Sequence, residues 1–325
     1  GKTMIAVLLK GVFLILILFL AAAYMTFLER VVLARLQQRL GPNRAGPFGL
    51  LQPIADGIKL LTKESFRPEH CDWYVYWIAP CFSVFTALAA FGLIPFGSTV
   101  EWFGYSISLQ IANVDTAILW LLACSSLAVY GVVLSGWASN SRYAFLGGVR
   151  GTAQMISYEL AMSLALVAVA MTASSLNLQK IVDLQRQQGW LLFSQPIGFL
   201  IYLITGFAET NRAPFDLPEA EQELTAGYHT EYGGLRFALF FLAEYINILV
   251  ICSVATTLFL GGWSGPFDWP VVWFVGKVAF LVFLFFWVRA TLPRLRYDQL
   301  LTFGWKVLLP IATLHVLYTT WWRWG

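Results

Sequence analysis

The polar positions of this chain break it into long, continuously apolar runs. Eight of them are long enough to cross a bilayer as helix, which takes about 20 residues. They lie near 4–28, 74–96, 114–136, 153–173, 191–208, 237–260, 270–290 and 302–322. The runs do not alternate, so they do not describe a β-barrel, and helices are the form that pairs every backbone group inside lipid. The predicted fold is all-α and polytopic. The fifth run is the shortest and contains Pro196.

One further helix is predicted near 50–63. Leu50, Leu51, Ile54, Ile58 and Leu61 fall on one face, with Asp56, Lys59 and Lys63 off it. This spacing makes an amphipathic helix lying along a membrane surface.

Lys and Arg give the orientation. The first connection holds Arg30, Arg35, Arg39, Arg44, Lys59, Lys63 and Arg67; the third holds Arg142 and Arg150. The fifth holds Arg212 and Arg236, and the seventh Arg289, Arg294 and Arg296. The second and sixth hold none, and the fourth only Lys180 and Arg186. Odd-numbered connections are therefore expected on the cytoplasmic (or matrix) side and both termini on the periplasmic or intermembrane side. Of the 14 tryptophans, all but Trp120 fall near a predicted span edge, as an interfacial belt requires. The run 4–28 is too long for the apolar core of a signal peptide and reads as a retained first span. We see no internal repeat and no appended soluble domain, so 1–325 reads as a single membrane domain.

Composition agrees. The chain of 325 residues is 58% hydrophobic and 12% charged, with a mean hydropathy of +0.68. A soluble domain carries about a quarter charged residues. The net charge of +3 is small and no basic block stands beside stacking aromatics, which argues against a nucleic-acid partner. Cys71, Cys81, Cys124, Cys252 and the three histidines are scattered, without the clustered ligands a metal or iron–sulfur site needs.

Charge within a span is costly and marks function by default. Glu159 lies in the fourth span and Glu244 in the sixth, both roughly 9–11 Å from its inner end at helical rise. Glu29 closes the first span on that side and Glu209 the fifth. Each could pair with an arginine for structure alone. Four carboxylates from four spans point instead to a proton-responsive polar path opening inward, because clustered acids in low dielectric repel and some then hold protons near neutral pH. Lys277 lies toward the outer end of the seventh span, where its stem can snorkel outward. Asp115 sits at the outer edge of the third. The inner connection 209–236 is unexpectedly acidic, with Glu209, Asp216, Glu219, Glu221, Glu223 and Glu231 against Arg212 and Arg236. It reads either as a solvated loop or as one tucked against Arg30, Arg35 and Arg39 to form the mouth of a charged cavity.

These two inner connections carry a resemblance. Glu29–Arg30, then Gln38–Arg39–Leu40–Gly41–Pro42–Asn43–Arg44, then Gly49–Leu50–Leu51–Gln52–Pro53–Ile54–Ala55–Asp56–Gly57–Ile58–Lys59, form one signature. Ala208–Glu209–Thr210–Asn211–Arg212–Ala213–Pro214–Phe215–Asp216–Leu217–Pro218–Glu219–Ala220–Glu221–Gln222–Glu223–Leu224 form the other. Shorter matches are Ser157–Tyr158–Glu159 and Arg296–Tyr297–Asp298–Gln299–Leu300. Together they resemble the quinone-channel membrane subunit of proton-pumping NADH:quinone oxidoreductase, respiratory complex I.

The resemblance implies a subunit that forms much of the quinone-access tunnel. By position, Glu29, Arg30, Arg35 and Asp56 would line the tunnel, with Glu219, Glu221 and Glu223 on a loop near the quinone cavity. Glu159, Glu209 and Glu244 would form a buried path for proton coupling. The substrate would be a quinone, ubiquinone or menaquinone. The partners would be the other membrane-arm subunits, the quinone-site and iron–sulfur subunits of the hydrophilic arm, and membrane lipids. The chain carries no nucleotide loop, flavin motif or cluster ligands, so redox centres are expected in partners. The expected setting is the bacterial plasma membrane, with the mitochondrial inner membrane as the alternative. The equivalent subunit of a membrane-bound hydrogenase or other electron-donor oxidoreductase would share the fold. A stand-alone proton or ion transporter fits less well, given the acidic inner loop and the lack of matched halves.

Overall fold

The computed structural model describes residues 2–66, 68–97, 100–102, 105–107, 109–218, 227–267 and 269–324. The described residues are mostly helix, joined by turns and loops. The strands among the described residues are a small antiparallel pair, β1 (Val100–Trp102) with β2 (Tyr105–Ile107), in the connection after the second long helix. The all-α expectation holds.

The helices are α1 (Lys2–Leu36), α2 (Gln52–Thr62), α3 (Trp73–Phe91), α4 (Ala117–Ala138), α5 (Arg142–Ala173) and α6 (Leu178–Gln188). There follow α7 (Leu191–Ser194), α8 (Pro196–Glu209), α9 (Gly234–Phe259), α10 (Pro270–Thr291) and α11 (Tyr297–Phe303). A π-helical stretch, Gly304–Leu308, joins α11 to α12 (Leu309–Trp324). Among the described residues, seven helical segments are long and apolar enough to cross a membrane: Lys10–Leu36, α3, α4, α5, α9, α10 and Tyr297–Arg323.

The fifth expected span is built differently. It is a single turn, α7, followed by the 14-residue α8. The break falls at Gln195, because Pro196 lacks an N–H and disfavours helical backbone in the residue before it. At helical rise α8 is about 21 Å long, shorter than the roughly 30 Å hydrocarbon layer.

Large apolar side chains face outward as a lipid-facing surface requires, among them Phe13, Leu16, Phe280 and Leu314. The interior is equally apolar and closely packed. Tyr158, Ile246, Ile248, Cys252, Ala255 and Phe259 are buried at the centre. Small residues let helices approach, as in other membrane bundles. A Cβ at Gly206 of α8 would stand 2.6 Å from the side chain of Ile251 on α9. One at Gly136 of α4 would stand 2.7 Å from the carbonyl oxygen of Ala144 on α5.

Polar caps define the opposite end of the bundle from Glu29. The Asn177 side chain accepts from the backbone N–H groups of Gln179 and Lys180 at the start of α6. Its amide donates to Asp115, which also pairs with Lys180 at 3.2 Å. Both partners are exposed, and these bonds from Asn177 and then Lys180 hold the Asp115 carboxyl below its ordinary range. Lys277 departs from the snorkelling expectation. Its ammonium donates to the carbonyls of Leu260 (2.6 Å), Gly262 (2.9 Å) and Ser264 (2.7 Å) and lies 4.8 Å from the Trp190 ring centre. The cation is bound by protein at the C-terminal end of α9, where the helix dipole favours it.

Candidate functional site

α1 extends to Leu36, so Glu29 and Arg30 are helical neighbours whose side chains diverge by about 100°. Glu29 turns into the bundle and is 4% exposed. There it pairs with Arg289 from the end of α10 and lies 3.5 Å from Arg212. Tyr245 of α9 donates its hydroxyl to the other Glu29 oxygen at 2.8 Å. Arg212, from the connection after α8, also pairs with Glu244 of α9 and lies 4.6 Å from the Tyr245 ring centre. Two carboxylates and two guanidiniums from four chain segments thus form one balanced, largely buried cluster. Charges taken out of water persist when paired in this way.

The Arg212 connection is fixed from α5. The buried Gln154 amide donates to the carbonyls of Ala208 and Phe215, both at 2.7 Å. Tyr158, one turn further along α5, donates to the carbonyl of Leu300 at 2.9 Å. The indole N–H of Trp305, in the π-helical stretch, donates to Ser157 at 3.0 Å. These bonds lock α5, the α8–α9 connection and the last helical segment around Glu159.

Arg30 points the other way, toward the surface helix. It pairs with Asp56 of α2 at 2.7 Å, and Gln52 supports the same carboxylate at 3.0 Å. The apolar face of α2 is exposed at Leu51, Ile54, Ile58 and Leu61. Arg35 stands exposed in the last turn of α1.

Glu159 and Glu209 form a second acidic group. Glu159 of α5 accepts from the hydroxyls of Ser125 (3.2 Å) and Ser126 on α4. Ser125 is also within hydrogen-bond reach of Glu209 at the end of α8. Among the described residues, neither of these carboxylates has an ion pair.

Two cavities of about 40 Å³ each join the acidic groups. A cavity of this size holds a few waters. One is lined by Ser125, Tyr202, Glu209 and Asn247, and the other by Glu209, Asn211, Glu244 and Asn247. Glu209 and Asn247 therefore border both. The resulting order is Glu29, Arg212, Glu244, a cavity, Glu209, a second cavity, Ser125 and Glu159.

Of the residues singled out in the sequence, Glu29 and Glu244 come together through Arg212, Arg30 meets Asp56, and Glu159 meets Glu209 through Ser125. Glu219, Glu221 and Glu223 lie outside the described residues. Arg212 and Arg289, visible in the sequence only as inner-side cations, hold the cluster. Ser125, Tyr245 and Asn247 carry no charge, and no sequence signal marked them.

A helical membrane bundle with charge-paired and unpaired carboxylates at one end defines a class: polytopic subunits built around a polar interior. The chain belongs to the NADH dehydrogenase family, whose model matches residues 9–320. It is 65% identical over 301 residues to the H subunit of NADH-quinone oxidoreductase from Protochlamydia amoebophila, covering 93% of this chain and 92% of that protein. It is 56% identical over 301 residues to an H subunit of the same enzyme from Geobacter metallireducens, covering 92% and 91%. It is 52% identical over 317 residues to the H subunit from Thermomicrobium roseum, covering 95% and 93%.

Proposed function

We propose that this chain, a membrane subunit of NADH-quinone oxidoreductase, forms a quinone-access tunnel and couples quinone reduction to proton pumping. The observation that carries the proposal is the shared guanidinium of Arg212, which binds Glu29 and Glu244 at once. Glu29 belongs with Arg30, Arg35 and Asp56 on the tunnel side, together with Glu219, Glu221 and Glu223. Glu244, Glu209 and Glu159 form the proton path.

The chemistry follows from charge. Two-electron reduction of a quinone creates negative charge that must be met by protons. New negative charge near Glu29 competes for Arg212 and Arg289. Any loosening of Arg212 changes the balance at Glu244, and waters in the two cavities carry the disturbance to Glu209 and Glu159. Those two carboxylates have no cationic partner among the described residues and can trade a proton through Ser125 and water. The partners are the membrane-arm neighbours and the hydrophilic-arm subunits that hold the redox centres. The membrane is the bacterial plasma membrane, and both chain termini lie on its outer side.

The test is Glu159→Gln and Glu209→Gln in the assembled enzyme. Both are expected to impair proton pumping coupled to quinone reduction. Wild-type quinone reductase and pumping rates in both variants would remove the proposal.

A further inference from the structure

α8 carries a polar stripe. Gln195, its N-cap, Tyr202 and Glu209 are seven residues apart in turn, which places them on one face. Glu209 and Tyr202 line a common cavity. Gln195 lies about 21 Å from Glu209 along the helix, at the opposite end of the bundle.

There a histidine faces the stripe. His315 of α12 is 6% exposed and Gln195 is 4% exposed. Neither ring nitrogen of His315 has a hydrogen-bond partner among the described residues, and neither has the Gln195 Oε1. The Gln195 amide is used: it donates to the Ala168 carbonyl at 3.2 Å and to the Thr172 hydroxyl on α5. Two of the free atoms, His315 Nε2 and Gln195 Oε1, converge on Gly198. A Cβ there would meet His315 Nε2 at 2.8 Å and Gln195 Oε1 at 3.6 Å. A larger residue would separate them.

Leaving three buried polar atoms unsatisfied costs about 1–3 kcal/mol each, and native proteins rarely tolerate it without a purpose. The direction outward is polar as well. Thr319 and Arg323 follow His315 at helical spacing on α12, and Arg323 donates to Ser174 at the end of α5 at 2.8 Å.

We propose that His315 and Gln195 form a proton-carrying hydration site in the outer half of this chain, extending outward along α8 the path that runs through Glu209. The ligand is water and the proton it delivers. A neutral imidazole accepts a proton at one ring nitrogen from a hydronium, which becomes water. The imidazolium then gives up the proton on its other nitrogen to water on the Arg323 side. No redox change is involved, and ring rotation restores the starting tautomer. Gln195 Oε1 accepts from the delivering water and orients it.

This inference rests on the proton-path reading of Glu159 and Glu209. The test uses the assembled enzyme in sealed vesicles, measuring protons moved per electron pair and quinone reduction with an uncoupler present. His315→Gln keeps the hydrogen-bonding capacity but cannot hold a proton. It is expected to lose protons per electron pair while uncoupled quinone reduction persists. An unchanged ratio overturns the site.

Glu209→Gln in the same vesicles separates the two proposals. Loss there without loss in His315→Gln removes only the outer site, whereas no loss in either removes the path itself. Should His315→Gln fail to assemble, deuterium exchange at the imidazole C2 position of the wild-type enzyme decides. His315 is expected to exchange nearer the rate of exposed His70 than of buried His229. A rate matching His229 overturns the site.

Discussion

Glu29 on α1 and Glu244 on α9 are held by one guanidinium, that of Arg212, which lies 3.5 Å from Glu29 while pairing with Glu244. Neither acid can change charge or position without altering what the other feels. Arg289 completes the balance on the Glu29 side. The arrangement joins a carboxylate at the end of the first helix to one set well into the sixth expected span.

Removing the shared cation leaves buried carboxylate charge uncompensated. Arg212→Met is expected to destabilise the subunit by about 3–5 kcal/mol. The paired variant Arg212→Met with Glu244→Met should cost less than the sum of the single changes. Thermal denaturation of the assembled enzyme measures both, and additive losses would show that the two groups do not interact.

The surface pair behaves differently. Arg30 and Asp56 retain 52% and 30% side-chain exposure, and exposed pairs contribute about 0–1 kcal/mol. Asp56→Asn is therefore expected to leave stability nearly unchanged. Its effect should fall on the KM for quinone, through the placing of α2 against α1. Steady-state kinetics with a stability control tests this. A lowered melting temperature with an unchanged KM would count against a tunnel role.

Asn247 borders both cavities. Asn247→Leu keeps the side-chain size but removes the polar group that both cavities share, which takes a hydrogen-bond partner from water in each. Coupled turnover is expected to fall several-fold, while uncoupled quinone reduction is retained. Equal losses in both assays would place the defect at quinone binding instead.

His229, in the connection between α8 and α9, is buried, and loss of water pushes its pKa down from 6.5 to about 4. The folded protein therefore holds this ring neutral where the unfolded chain protonates it. Its contribution to stability is complete above the unfolded pKa and is lost as pH falls from 6.5 toward about 4. His229→Leu should flatten the stability-versus-pH curve in that window. A curve of unchanged slope would show that other groups set it.

Much of this arrangement is legible in the sequence because membrane insertion leaves a strong signal. Long apolar runs announce the helices, and each isolated carboxylate within or beside them stands out. Pro196 marks the weak point of the fifth run, although only the structure shows a turn followed by a short helix. Glu29 and Arg30 look like the start of a connection, yet α1 continues through them because Val31, Val32, Leu33 and Ala34 extend its apolar run. Partners were the hidden part. Nothing in the spacing says that Arg212 rather than Arg30 meets the buried acids, since that depends on how the α8–α9 connection folds back under Gln154. Ser125 and Asn247 are hidden for a simpler reason, because small polar side chains are common in membrane helices and carry no charge to mark them.

The most direct test is infrared difference spectroscopy of the assembled enzyme on reduction of bound quinone. A change in the carboxylic-acid C=O region is expected, and it should disappear in both Glu209→Gln and Glu159→Gln. Difference spectra identical to wild type in both variants would contradict it.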